Sequence, residues 1–274
     1  MIRESSTRQV KSVRTAFDIV GVLQNYDGVG LDELHRRVDL AKSTVHNYLT
    51  TLESMGYVVE RDGAYYLGLR FLTHGMAAKS RLEVRDAAPV ALSALSASVG
   101  HPAWLITAEH GRGLFVERAV PDGDAAVYGR IGKRSYLHTH APGKAILAAL
   151  PEASAERILE YHGLPSHTER TITDPTALDA ELSEIRERGY AVGDGEAALG
   201  VRSAGVAFEA PGGRYHAVGV FAYSHELGAP PDSGVVEALE SAASEIHAPE
   251  RGGSEADRSG TEAEIGGETE TEAS

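Results

Sequence analysis

Val13, Ala16, Phe17, Val20 and Leu23 fall at the i, i+3, i+4, i+7 spacing of a helix with one apolar face. Asn25-Tyr26-Asp27-Gly28 ends that pattern. A second short helix is expected from about Gly30 to Val38, with Leu31, Leu34 and Val38 inward and Glu33 in its first turn. After a turn at Asp39-Leu40-Ala41, Val45, Tyr48, Leu49 and Leu52 share one face of a third helix. It stops at Gly56, a residue that takes the left-handed backbone of a helix end without strain. Two β-rich runs follow, Tyr57-Val58-Val59-Glu60 and Ala64-Tyr65-Tyr66-Leu67, joined through Arg61-Asp62-Gly63. An Asp-Gly pair between such runs signals a hairpin.

Helix, helix, tight turn, helix and hairpin in this order make a winged helix-turn-helix, expected over residues 9–69. The outward face of the third helix carries Lys42, Ser43, His46, Asn47, Thr50 and Thr51, all hydrogen-bonding side chains and none acidic. Asparagine can pair with adenine through two hydrogen bonds, and serine and threonine reach phosphates or base edges. Ser43, Thr44, His46, Asn47 and Thr50 are therefore the expected base-facing residues. Lys42, and Arg61 in the wing, are expected on phosphates.

Residues 70–83 read as a linker helix, from Arg70 to Leu82, and Val84 to Val99 as another helix, with Val90, Leu92, Leu95 and Val99 apolar before Gly100. The texture then changes. Strands are expected at Ala103 to Thr107, Gly113 to Glu117 and Ala125 to Tyr128, then at Tyr190 to Val192, Val201 to Phe208 and Tyr215 to Tyr223. Helices are expected at Gly143 to Leu150, Ser154 to His162, Pro175 to Arg188 and about Ser233 to His247. Thr173-Asp174-Pro175 marks one start, with a capping carboxylate and a proline just inside. The class is α+β: a mostly antiparallel sheet with packed helices over residues 84–248. Residues 249–274 are rich in Gly, Ser, Thr and Glu, have almost no large apolar residue and are expected to be disordered.

Charge changes the picture in one respect. The formal charge of −14 argues against nucleic acid, but it is uneven. Residues 1–75 carry nine basic and nine acidic side chains, while residues 249–274 alone carry −6. The N-terminal third is thus the most basic part of an acidic chain, and a shallow salt dependence of DNA binding is expected. Abundant carboxylates with only five lysines match the composition of haloarchaeal proteins, which work in concentrated salt. With no cysteine, disulfides, thiolate metal sites and cysteine nucleophiles are excluded. The longest apolar runs are too short to span a membrane and the first residues are polar, so a cytoplasmic protein without a membrane partner is expected.

Candidate chemistry is sparse. His138 and His140 lie two apart, a spacing that could place both imidazoles on one metal ion. The competing role is a structural or ligand-facing hydrogen bond. Gly143-Lys144 lacks the glycine and the hydroxyl residue of a phosphate loop, and Ser203 lacks the surroundings of a hydrolase elbow. No cofactor is expected. The alternative to a DNA-binding regulator is a metal-assisted enzyme using His138 and His140, with the N-terminal domain as an interaction module.

The chain resembles the IclR-type transcriptional regulators. That family's recognition phrase appears as Ala41-Lys42-Ser43-Thr44-Val45-His46-Asn47-Tyr48-Leu49-Thr50-Thr51-Leu52-Glu53-Ser54-Met55-Gly56-Tyr57, and its wing closes as Tyr66-Leu67-Gly68. Further along, Gly132-Lys133-Arg134-Ser135-Tyr136-Leu137-His138-Thr139-His140-Ala141-Pro142-Gly143-Lys144-Ala145, Thr171-Ile172-Thr173-Asp174, Arg188-Gly189-Tyr190-Ala191-Val192 and Gly200-Val201-Arg202 follow family patterns in the family's order. The resemblance implies a GAF-like effector-binding domain, a homodimer or dimer of dimers, a double-stranded DNA operator and control of a neighbouring, typically catabolic, operon. It also implies that Ser203, in place of the family's cysteine, lines the effector pocket. Ser224 is aligned with a serine of the last strand. With His138, Thr139 and His140, these are the expected effector-binding residues. A pocket beside the helix start near Gly143 favours an anionic ligand, a carboxylate or a phosphorylated group.

Overall fold

The structure, a computed structural model, describes residues 9–121 and 128–247. The N-terminal unit runs α1 (Lys11–Asn25), β1 (Val29–Gly30), α2 (Leu31–Arg37), α3 (Lys42–Ser54), β2 (Val58–Arg61) and β3 (Ala64–Leu67). Ile19, Leu23, Leu34, Val45, Leu49 and Val58 form its core. The wing turns through Asp62 and Gly63, both with positive φ (51° and 76°), as a two-residue hairpin turn that follows sheet twist requires. The two-residue β1, too short for a periodic signal, adds a third strand beside β3.

Two apolar residues expected inside α1 are not. Val13 and Phe17 are exposed, and Ile19 and Leu23 form the inward face instead. Val10, Val13 and Phe17 therefore make an uncovered stripe at i, i+3, i+7. Helix α4 (Arg70–Lys79) repeats the feature with Leu69, Leu72 and Met76. The spacing is right for a helix, but one face of each looks away from its own core.

The C-terminal unit begins with α5 (Ala88–Val99), which ends at Gly100 in the left-handed conformation. Val90, expected inward, is exposed on its outer side. Six strands follow: β4 (Ala103–Glu109), β5 (Arg112–Ala119), β6 (Arg134–Tyr136), β7 (Ala191–Asp194), β8 (Val201–Ala210) and β9 (Arg214–Tyr223). They form one antiparallel sheet in the order β6-β5-β4-β9-β8-β7. The strand expected at Ala125 to Tyr128 falls, except for Tyr128, outside the described residues, as does the tail from residue 248. The three residues of β6 were hidden in what reads as a turn-rich segment.

Alternation along β9 builds two cores. Val218, Val220 and Ala222 face α5 and α9 (Ser233–His247), where Leu92, Leu95, Leu239 and Ile246 pack. Ala217 and Phe221 face the other way, toward α6 (Ala141–Ala149), α7 (Glu152–His162) and α8 (Pro175–Arg188). Asp174 caps α8, its carboxylate accepting the Ala177 N–H at 2.9 Å, as the Thr-Asp-Pro phrase foretold.

The seat of α6 is set by two glycines. Gly205 and Gly219 are opposite one another in the β8–β9 register, and a Cβ at either would run into Pro142. Their absence of side chains lets the first turn of α6 lie directly on the sheet.

Candidate functional site

Two groups of residues stand out, one at the surface and one buried. On α3, Ser43, His46, Asn47 and Thr50 are exposed and Thr44 is half-buried. All five sit in the first three turns, while Val45 and Leu49 anchor the opposite face. Thr50 Oγ1 lies 3.4 Å from His46 Nδ1, one turn earlier. The Asn47 side chain has no partner among the described residues. Lys42 pairs with Asp32 at 2.5 Å, holding that carboxyl below the usual carboxylate range. Arg61 is exposed at the end of β2, beside the wing turn, and makes no ion pair among the described residues. The face is polar, positioned by a rigid core and largely uncommitted.

The second group is the reverse. His138, Thr139, His140 and Ser203 are all buried, and two of the four, His140 and Ser203, hold the start of α6. His140 Nδ1 accepts the Gly143 N–H at 3.1 Å and so caps the helix. That bond assigns the ring proton to Nε2, which donates to Ser135 Oγ at 2.7 Å. Ser135 passes the chain on to the Gly113 carbonyl at 3.2 Å. Burial pushes the His140 pKa down to about 3, so the imidazole is neutral. Ser203 Oγ accepts the Ala141 N–H at 3.1 Å, across the seat made by the two glycines. Thr139 donates to the Tyr136 carbonyl at 2.8 Å. His138 Nε2 donates to the Pro165 carbonyl at 3.2 Å, and burial lowers its pKa.

These bonds remove the metal reading. Both nitrogens of His140 are occupied by protein groups, and no cluster of three His, Asp or Glu side chains among the described residues has metal-binding geometry. Ser224 also departs from expectation. It lies one residue beyond β9, in the following turn, where its N–H meets the Gly200 carbonyl and its carbonyl accepts from Arg202. The β8–β9 register places Phe221, not Ser224, opposite Ser203. Strand period decides this: a shift of one residue turns a side chain to the other face.

Residues not singled out from the sequence surround the segment. Phe115, Tyr128, Phe221 and Trp104 form an aromatic cluster against His140, with Tyr128 stacked on Phe221 at 5.0 Å and Trp104 edge-on to Phe115 at 5.2 Å. Within it, Trp104 Nε1 and the Tyr128 hydroxyl are buried without a hydrogen-bond partner among the described residues. An unmet buried donor costs about 1–3 kcal/mol, so two in one cluster require a reason. Lys133 Nζ lies 3.4 Å from the centre of the Tyr128 ring, and burial pulls its pKa down to about 8. On the far side, Lys144 is buried and bound to Glu196 at 2.8 Å and Glu181 at 3.1 Å. Glu196 Oε2 has no partner, and burial raises the pKa of that carboxyl against the pull of Lys144. Isolated aromatic and charged residues scattered from Trp104 to Phe221 gave no sequence signal; only the sheet brings them together.

Comparison with known proteins agrees with this architecture. Residues 12–62 match the IclR helix-turn-helix domain, and residues 76–248 match the C-terminal domain of the bacterial transcriptional regulator IclR. The chain is 31% identical over 202 residues to the "Probable HTH-type transcriptional regulator ArcR" of Halobacterium salinarum, covering 72% of this chain and 77% of that one. It is 30% identical over 200 residues to the HTH-type transcriptional regulator XynR of Escherichia coli, covering 72% and 79%. Among solved structures, an IclR transcriptional regulator from Alicyclobacillus acidocaldarius superposes with a TM-score of 0.75 at 25% identity, over 88% of this chain and 98% of that one. An IclR homologue of Microbacterium hydrocarbonoxydans, solved with 4-hydroxybenzoate, shares the fold at a TM-score of 0.71 and 24% identity, over 86% and 97%. With both halves matched in the same order and its relatives named as regulators rather than enzymes, this chain belongs to the IclR family of helix-turn-helix transcriptional regulators.

Proposed function

We propose that the first turns of α3 read an operator and that the aromatic cluster beside α6 receives the effector. Ser43, Thr44, His46, Asn47 and Thr50 contact base edges, while Lys42 and Arg61 meet phosphates, with Lys42 released from its exposed pair with Asp32. Residues 9–69 form the DNA-binding domain, 70–83 the linker and 84–248 the effector domain. The protein works in the cytoplasm on the double-stranded DNA of a nearby catabolic operon. Among the described residues no helix is long and apolar enough to cross a membrane.

The observation that carries the effector reading is the pair of unpartnered donors, Trp104 Nε1 and Tyr128 Oη, buried among aromatic rings. A small ligand with an acceptor group would satisfy both, and Lys133 above Tyr128 favours an anionic one. Ser203 and His140 support the floor, and His138 and Thr139 shape its edge. The uncovered stripes on α1 and α4 support assembly as a homodimer, which pairs two recognition helices on one operator.

The test is Tyr128→Phe. The hydroxyl makes no bond among the described residues, so stability and basal operator affinity are expected to stay at wild-type values. The effector-induced change in operator affinity, screened by fluorescence anisotropy with a panel of small carboxylic and phosphorylated acids, falls about tenfold or more. An unchanged response would place the effector elsewhere.

A further inference from the structure

A second site is built where the two domains face one another. The chain is acidic, and among the described residues Arg37, Lys42, Lys79, Arg85, Lys144, Arg170, Arg188 and Arg202 each pair with a carboxylate. Arg130, Lys133 and Arg134 stand within five positions and none makes an ion pair among the described residues. Together with Gln24 and Asn25, the last two residues of α1, they line a groove of about 520 Å³.

The cations are held in place rather than dangling. Arg130 to Lys133 is a tight turn, the Lys133 N–H meeting the Arg130 carbonyl at 3.0 Å, with Gly132 at φ 83° in the position that demands it. Phe115 clamps this turn from both sides, accepting the Gly132 N–H at 2.8 Å and donating to the Lys133 carbonyl at 3.0 Å. The backbone carrying Arg130 and Lys133 is thus fixed on one rigid turn, with Arg134 beginning β6 just after it, and Arg130 contributes to the lowered pKa of Lys133. The opposing end of α1 offers only the partial charge of a helix C-terminus, roughly half an electron charge, against three cations. Among the described residues no carboxylate lines the groove.

We propose that this groove binds a small multivalent oxyanion, a phosphate-bearing solute carrying two or more negative charges, between α1 and the Arg130–Arg134 turn. Bidentate guanidinium contacts from Arg130 and Arg134 suit a phosphate group, and the groove volume accommodates one with a small organic body. Because one wall belongs to the DNA-binding domain, occupancy ties that domain to the sensor. The regulator thereby answers to a second signal, independent of the ligand beside α6.

The experiment is isothermal titration calorimetry of the full chain with pyrophosphate, in potassium chloride at a concentration that keeps the protein folded. Wild type is expected to bind one equivalent per chain saturably. Arg130→Gln/Arg134→Gln is expected to bind at least tenfold more weakly with an unchanged melting curve. Lys133 is left intact because it also covers Tyr128. Tyr128→Phe is expected to bind pyrophosphate as wild type does, which separates this site from the effector centre. Absence of saturable binding to wild type, or equal affinity in the double variant, overturns the proposal. So does an equal loss of affinity for every DNA sequence in the double variant without pyrophosphate, which would make the operator backbone the counter-ion.

Discussion

The outer face of α3 and the segment from His138 to Lys144 are both rich in hydrogen-bonding side chains, yet they are built in opposite ways. On α3 most polar groups are exposed, and the side chains of Asn47 and Ser43 have no partner among the described residues. At the start of α6 nearly every polar group is buried and committed: His140 on both ring nitrogens, Ser203 on Ala141, Lys144 on two carboxylates. The difference follows from the partner. DNA is large and brings its own hydrogen-bonding edges to a surface that only has to be presented. A small ligand must enter a packed core, so most polar groups there position others, and only the few left unmet face a guest.

Deleting a committed group is therefore expected to have the largest effect. Lys144→Met leaves the Glu196 and Glu181 carboxylates without their buried cation and should cost about 3–5 kcal/mol of stability. Denaturation followed by the fluorescence of Trp104, the only tryptophan, reads this in the effector domain alone. A loss below 1 kcal/mol would mean that the ion pair is a bystander.

Acid should separate the two regions next. His140 and His216 are buried and neutral, with pKa values pushed down to about 3 and about 4 from an ordinary 6.5. Thr107 Oγ1 lies 2.9 Å from His216 Nδ1. The unfolded chain binds these protons first, so the stabilisation is complete above pH 6.5 and declines as pH falls toward the folded values. At pH 5 each histidine accounts for a loss on the order of 2 kcal/mol. The Trp104 transition should shift to lower denaturant between pH 7 and pH 5; no shift would contradict the buried neutral state.

Smaller changes are expected on α3. Asn47→Ala should leave stability within about 0.5 kcal/mol of wild type, as for an exposed surface residue. It should cost about 1–3 kcal/mol in operator binding and relax preference at one base position. Arg61→Ala should weaken all sequences alike. Competition titrations against single-base operator variants distinguish the two, and identical behaviour would show that α3 does not read bases through Asn47.

The same contrast explains what could be read from the chain before its fold. The helix-turn-helix and wing were legible because short-range signals define them: periodicity on α3, Asp62-Gly63 at the wing, Gly56 after the helix. The base-facing candidates follow from which α3 positions are apolar. The antiparallel α+β class and the Asp174 cap were similarly open to view. The proposed effector centre was not, because residue type does not tell whether a donor is engaged. His140 looked available and is a helix cap; Ser224 looked inward and lies in a turn; Trp104 and Tyr128, separated by 24 positions, meet only through the antiparallel sheet. Val13 and Phe17 carried the correct period, but periodicity cannot say whether an apolar face meets its own core or a second chain.

The glycine pair under Pro142 bears on how such a regulator can change its preferences. Gly205 and Gly219 leave no room for a methyl group, so the backbone of α6 cannot drift without losing its place on the sheet. Rings around it are under no such restriction: Phe221 and Tyr128 can be exchanged while the platform, with Ser203 holding the Ala141 N–H, stays put. Divergence toward new effectors is then channelled into side chains at a few inward positions. Those positions, rather than the helix they surround, are where libraries aimed at redirecting the sensor should be randomised.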